Sequence, residues 1–199
     1  MGQHQADVRQ HILDTGRALV LGKGFTAMGL AEMLTAARVP KGSFYYYFDS
    51  KEQFGEAMLE SYFTGYLESL DELIRMDGSP GRERFMRYWR RWMAIQQQGP
   101  CPGQCLVVKL GAEVSDLSEA MRAALHRGTD RIIDRLSACV AEGIADGSLP
   151  ALDPAAIAQA LYELWLGASL LTKVRRDPSA LSVALATTET LLATNTPRR

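Results

Sequence analysis

Residues 25 to 48 decide the fold: Phe25-Thr26-Ala27-Met28-Gly29-Leu30-Ala31-Glu32-Met33-Leu34-Thr35-Ala36-Ala37-Arg38-Val39-Pro40-Lys41-Gly42-Ser43-Phe44-Tyr45-Tyr46-Tyr47-Phe48. Leu30, Met33 and Leu34 recur at helical spacing, and Thr26 stands where it can cap their helix, which gives out near Ala37. Val39-Pro40 marks a break, because the residue before proline is pushed out of the helical region and proline itself suits a first helical turn. A short helix then runs from Pro40 to about Tyr47. Two helices joined by a tight turn within about twenty residues have helix-turn-helix spacing.

On the second of these helices Phe44 and Phe48 lie four apart and share one face, so they pack inward. Lys41, Gly42, Ser43 and Tyr45 are left to face outward, with Tyr46 and Tyr47 as further candidates. A short helix presenting tyrosines, a hydroxyl and a lysine near its N-terminus puts donors on base edges and phosphates, and Gly42 lets the backbone approach closely. The competing reading makes the tyrosine run aromatic core. Against it, three successive tyrosines cannot all face one core, and buried tyrosine hydroxyls need partners. From Thr35 to Lys51 the cations Arg38, Lys41 and Lys51 oppose only Asp49, an excess of two positive charges.

Outward from this segment, apolar residues recur at three and four in stretch after stretch, and alternation of period two is almost absent. The pattern predicts an all-α chain of about nine helices. The first spans about Asp7 to Leu21 and stops at Gly22 and Gly24. Ser50 and Gln53 have capping-box spacing, so a fourth helix starts at Lys51 and runs to about Met76. Ser79-Pro80 opens a fifth, to about Gln98. Gly99-Pro100-Cys101-Pro102-Gly103 forces a loop before a sixth helix near Gln104. A seventh spans about Leu117 to Asp146. Asp153-Pro154 and Asp177-Pro178 each pair a cap with proline, opening an eighth helix to about Arg176 and a ninth to about Thr194. Short helices fill residues 1–50 and longer ones residues 51–199, which predicts a small module mounted on a helical body.

The 199 residues are 47% hydrophobic and 23% charged, an ordinary globular composition that excludes disorder and a disulfide scaffold. Twenty-two Lys+Arg against 23 Asp+Glu leave a net charge of −1, which by itself argues against a nucleic-acid partner. The first sixty residues do not reverse this, since six cations face seven anions there. The excess exists only at the scale of the helix-turn-helix, and dimerisation presents it twice. No long apolar run predicts a membrane span, and Asp7 and Asp14 interrupt the early sequence, so a cytoplasmic location is expected. Three cysteines in a reducing compartment predict no structural disulfide.

Gly24-Phe25-Thr26, then Val39-Pro40-Lys41-Gly42-Ser43-Phe44-Tyr45-Tyr46-Tyr47-Phe48, then Ser50-Lys51-Glu52, resembles the DNA-binding signature of the TetR family of transcriptional regulators. The resemblance implies a homodimer whose N-terminal helix-turn-helix pair binds a palindromic operator. The body would hold a small-molecule effector and the dimer interface. By position, Lys41, Gly42, Ser43, Tyr45 and Tyr46 fall on the recognition helix, and Thr26 and Lys51 fall where backbone phosphates are held. Arg38 departs from the pattern, in which many members have glycine. If that turn needs a left-handed residue, Arg38 costs about 1 kcal/mol.

The stretch from Cys105 to Arg122, with Tyr162-Glu163-Leu164-Trp165-Leu166-Gly167-Ala168 and Lys173, is similar to a narrower subgroup, the NemR-like electrophile-responsive repressors. That resemblance implies repression relieved when a reactive small molecule modifies a cysteine, by position Cys105, with Lys173 on a facing helix as a partner. The residues support it. Pro102-Gly103 keeps the chain out of helix, so Cys105 belongs in a first turn, where the helix dipole favours thiolate. Lys109, four residues on, would lower the thiol pKa further. The alternative is that Cys105 is a small hydrophobe in the body. Cys101 either resolves an oxidised Cys105 into a disulfide or sits in a loop. Cys139, among Leu136, Val140 and Ile144, reads as core.

Trp89, Trp92, Met93, Tyr162 and Trp165 line an aromatic effector pocket in one reading and ordinary core in the other. Arg82, Arg84, Arg87, Arg90 and Arg91 read as a solvated basic face. Leu161, Leu164, Leu170, Leu171, Leu181, Leu185, Leu191 and Leu192 on the last two helices offer more apolar surface than a monomer needs, and are expected to form a four-helix dimer interface. His4, His11 and His126 lack ligand spacing, and no metal or cofactor is expected. A cysteine-dependent enzyme with Cys105 as nucleophile and His126 as base has no recognisable orienting group and leaves residues 1–50 without a role.

Overall fold

A computed structural model of the chain describes residues 3–97 and 105–193. Among the described residues every regular element is a helix. They are α1 (Gln3–Lys23), α2 (Leu30–Ala37), α3 (Lys41–Tyr47), α4 (Lys51–Ile74), α5 (Gly81–Gln97), α6 (Leu106–Ser115), α7 (Glu119–Ala145), α8 (Pro154–Arg175) and α9 (Ser179–Leu191). The loop expected around Cys101 lies outside the described residues, as does Thr194, the expected end of the ninth helix; α9 ends at Leu191. No helix among them is long and apolar enough to cross a membrane.

Local chemistry places most boundaries. Gly24 closes α1 at a φ of +93°, a conformation open to glycine at little cost. Arg38 ends α2 in the left-handed region at φ 54° and ψ 40°. Its N–H reaches Thr35 O at 3.2 Å and the Val39 N–H reaches Leu34 O at 3.1 Å, the paired bonds of a Schellman closure. Ser50 Oγ accepts the Gln53 N–H at 3.1 Å, while the Gln53 amide oxygen accepts the N–H of Asp49. Asp153 accepts the N–H groups of Ala155 and Ala156 ahead of Pro154. One expected cap is corrected. Gly29, in extended backbone, precedes α2 and no side chain caps it; the Thr26 N–H is taken instead by Glu113.

The chain divides into two compact units, residues 1–65 with 100–128 and residues 66–99 with 129–199, the cuts falling inside α4 and α7. Compactness therefore does not divide the chain at residue 50, because α6 and the start of α7 pack with the N-terminal helices. In the first unit Ile12, Val20, Phe25, Met33, Phe44, Phe48 and Phe54 are fully buried. The rings of Phe44, Phe48 and Phe54 contact one another at centroid distances of 5.3 to 5.8 Å. Burying each such ring contributes about 2 to 3 kcal/mol. A Cβ on Gly55 would stand 2.6 Å from Met121 Sδ and 2.8 Å from Phe25 Cε2, so α7 seats directly on that backbone.

In the second unit the loop after α7 holds the start of α5. Asp146 accepts the Gly81 N–H at 2.7 Å and Ser148 Oγ accepts the Arg82 N–H at 2.9 Å. Arg84, expected on a solvated basic face, is 3% exposed. Its guanidinium donates to Glu142 at 2.7 Å, to Ile74 O at 2.9 Å and to Ser79 O at 3.2 Å. The reason is pairing, since a cation tolerates burial when its donors meet a carboxylate and carbonyls. Arg87 and Arg90 pair with Asp77 and Glu83 at the surface.

Candidate functional site

The helix α3 presents the residues expected of a reading helix. Phe44 and Phe48 are buried, whereas Tyr45 and Tyr46 are 47% and 64% exposed. Lys41 and Gly42 are exposed and Ser43 is half-buried. A Cβ on Gly42 would meet nothing within 4 Å, so the outer surface is open there. The Lys41 ammonium lies 5.7 Å from the Tyr45 ring centroid. Gln5 of α1 donates to the Tyr46 hydroxyl at 3.3 Å, and the Arg9 guanidinium lies 5.3 Å from the Phe48 ring. These contacts place hydroxyl and ammonium donors on one exposed face.

Thr26 and Lys51, distant in sequence, are adjacent. Lys51 Nζ lies 3.4 Å from Thr26 O and 4.7 Å from the Phe25 ring centroid. The Lys51 ammonium is a cation suited to a phosphate oxygen at the edge of the helix-turn-helix, whereas the Thr26 hydroxyl is engaged by the Glu113 carboxylate.

Cys105 is buried and immediately precedes α6 as its N-cap residue, in extended backbone, rather than within the first turn. Burial pushes its thiol above the ordinary value of 9.0, although the N–H groups of Val108 and Val107 and the Tyr62 hydroxyl favour thiolate. The expected lowering is thus reversed, because desolvation of the charged sulfur outweighs the donors around it. Lys109 does not pair with the sulfur: its ammonium donates to Gly22 O at 3.4 Å. The Tyr62 hydroxyl donates to Cys105 Sγ at 3.9 Å. Lys173 is exposed on α8, in the second compact unit, while Cys105 and Lys109 belong to the first.

Two residues at this site escaped sequence reasoning. Tyr62 lies 43 positions from Cys105, and nothing local announces the contact. Glu113 accepts the N–H of Thr26 at 2.6 Å and that of Phe25 at 3.2 Å. Its spacing of four from Lys109 and eight from Cys105 is the one signal present in the sequence. Burial opposes its charge, but the Thr26 N–H and hydroxyl, the Phe25 N–H and the Lys109 ammonium hold its carboxyl below the ordinary value of 4.5.

The aromatic residues of the second unit come together. Trp89, Trp92, Tyr162 and Trp165 are all buried, with Trp89 stacked on Trp165 at 5.2 Å and Tyr162 edge-on to Trp92 at 5.8 Å. Met93 is half-buried beside them in sequence. The Trp92 and Trp165 indoles donate to Ser169 and Thr188, but the buried Trp89 indole N–H has no partner among the described residues. Cys139 is core, its thiol pushed up to about 11 by burial and its sulfur 3.7 Å from Gly81 O. No group of three His, Cys, Asp or Glu residues suited to a metal occurs among the described residues.

Comparisons with known proteins bear on the fold and the family. Residues 12–58 match the family model described as bacterial regulatory proteins, tetR family, and residues 81–188 match the tetracyclin repressor-like C-terminal domain. The chain is 44% identical over 197 residues to the HTH-type transcriptional repressor NemR of Escherichia coli, covering 98% of each. It is 37% identical over 175 residues to the transcriptional regulator AcuR of Cereibacter sphaeroides, covering 86% of this chain and 79% of that one. The crystal structure of the reduced form of E. coli NemR superposes with a TM-score of 0.90 at 44% identity, covering 96% of this chain and 99% of that one. With the helix-turn-helix geometry, two matching family models and a near full-length relative at this identity, the chain belongs to the TetR family of bacterial regulatory proteins.

Proposed function

We propose that the chain is a homodimeric, cytoplasmic repressor of transcription that binds a palindromic operator and releases it when an electrophile or oxidant modifies Cys105. Residues 1–50 carry DNA binding and residues 51–199 carry sensing and dimerisation. On α3, Lys41, Gly42, Ser43, Tyr45 and Tyr46 enter the major groove, Lys41 at the helix head meeting a phosphate there, while Thr26 and Lys51 hold phosphates beside it. The exposed apolar residues Leu170, Val174 and Val183 of α8 and α9 support a helical interface between copies.

The observation that carries the reading is the seat of Cys105. The sulfur is buried at the head of α6, in the same compact unit as α3. Attack of the thiolate on an enal or quinone forms a carbon–sulfur bond and opens the acceptor's carbon–carbon π bond; the proton ends on the adjacent carbon of the enal, or on the oxygens of the hydroquinone to which the quinone adduct rearomatises. The added atoms have no room in a packed site, so α6 must shift. Operator half-sites stand about 34 Å apart or a multiple of that, so a small displacement of the reading helices costs the complex.

A second reading keeps the repressor and makes the effector a reversible ligand among Trp89, Trp92, Met93, Tyr162 and Trp165. The unpartnered Trp89 N–H favours it, as a donor for a ligand acceptor. Cys105→Ser separates the two. The mutant stays on operator DNA in the presence of electrophile under the first reading, and leaves it as the wild type does under the second.

A further inference from the structure

Cys105, Lys109 and Glu113 recur every four residues and so form one stripe along α6. The two side chains beyond the cysteine end on neighbouring backbone, Lys109 on the last turn of α1 and Glu113 on the segment that joins α1 to α2. Lys109 donates to Gly22 O at 3.4 Å. Glu113 accepts the N–H groups of Phe25 and Thr26 at 3.2 and 2.6 Å. A Cβ on Gly24 would stand 2.8 Å from Glu113 Oε2, so the carboxylate lies against bare backbone. No helix takes these two N–H groups, because α2 begins only at Leu30. The carboxylate is therefore their partner, and its position fixes the backbone that leads into the helix-turn-helix.

We infer that Glu113 is a positioning residue: its carboxylate, gripping the Phe25 and Thr26 N–H groups, sets the orientation of the helix-turn-helix according to where α6 stands. The Thr26 that it holds is the same residue whose carbonyl lies against Lys51, so the grip acts on the phosphate-holding pair as well as on α2. The inference deepens the proposed function and rests on it only for the trigger at Cys105. With charge-assisted bonds, each donor lost to the carboxylate is felt more strongly than an ordinary hydrogen bond. Glu113→Gln keeps the shape but turns an amide N–H₂ toward one of the two donors.

The test uses the full-length dimer and a fluorescein-labelled operator duplex of roughly 30 base pairs, selected from a random library by the wild-type protein. An unrelated duplex of equal length serves as the non-specific probe. Glu113→Gln is expected to lose about tenfold in operator affinity while its thermal unfolding and its affinity for the unrelated duplex match the wild type. Glu113→Asp, which keeps the charge on a shorter arm, recovers part of the loss. After alkylation of Cys105 with N-ethylmaleimide, wild type and Glu113→Gln converge on the same weakened operator affinity, since both have lost the same grip. Undiminished operator affinity in Glu113→Gln or an equal loss on both duplexes overturns the inference, and so does alkylation that weakens the wild type and the mutant by the same factor. If alkylation leaves wild-type operator affinity unmoved while Glu113→Gln loses operator alone, the Cys105 trigger is wrong and the positioning role stands.

Discussion

The Tyr62 hydroxyl points at the Cys105 sulfur, 3.9 Å away, from α4, the helix that follows the helix-turn-helix. Among the described residues it is the side-chain donor on a thiol that burial holds neutral against the Val107 and Val108 N–H groups. A sulfur in this setting reacts through a minority of thiolate that solvent exclusion keeps small, and each donor that favours the charged form raises that minority.

The pH dependence follows from the direction of the shift. Because the folded thiol titrates above 9.0, the thiolate fraction rises tenfold for each pH unit throughout the neutral range. The second-order rate of alkylation by N-ethylmaleimide should therefore climb with unit slope from about pH 6 to about pH 9, with no plateau. A plateau near neutrality, read by quenched mass spectrometry, would mean that the thiol is depressed. Tyr62→Phe should slow the reaction about two- to fivefold at fixed pH, the effect of one weak hydrogen bond.

Lys41 and Tyr45 make different kinds of contact and should fail differently. Tyr45→Ala is expected to cost about 1 to 3 kcal/mol on the operator and to relax preference at the base pairs it meets. Lys41→Ala should weaken binding to all sequences alike and reduce the salt slope of log Kd by about one. Fluorescence anisotropy over a salt series separates the two patterns.

Arg38 occupies the left-handed turn at φ 54°. Arg38→Gly removes the Cβ strain and should raise stability by about 1 kcal/mol in urea unfolding. A concurrent loss of DNA affinity would mark Arg38 as a phosphate contact, and unchanged affinity would assign it to the turn alone.

Gly81 opens α5 against the backbone of Gly143 on α7, where a Cβ would overlap the Gly143 main chain. Backbone cannot give way as a side-chain end does. Gly81→Ala should destabilise the protein by about 1 to 3 kcal/mol, measured by thermal or urea unfolding, whereas Gly65→Ala, which meets nothing within 4 Å, should not.

The elements that could be read from the sequence are those whose causes are local. Asp153 caps α8 two and three residues on, Ser50 and Gln53 close a box within four residues, and Phe44 and Phe48 divide α3 into inner and outer faces. Each needs only helical spacing and a cap rule. Arg84 was beyond such rules, because what buries it is Glu142, 58 positions away, together with the last carbonyl of α4. The Cys105 thiol misled in the same way. Helix-terminus and Lys109 arguments are local and favour thiolate, but packing around α6 sets the outcome, and packing is tertiary. Thr26 misled as a cap: Gly29 rather than Thr26 precedes α2, and the Thr26 N–H meets Glu113, 87 positions away, a pairing no local rule announces.

The most direct measurement follows occupancy at one sulfur and on one DNA in the same sample. Wild-type protein on labelled operator is titrated with N-ethylmaleimide or a quinone, and each aliquot is split between anisotropy and peptide mass spectrometry. Operator release should track the fraction of Cys105 modified, point for point, and Cys105→Ser should hold the DNA throughout. Release from protein whose Cys105 remains unmodified would contradict the account.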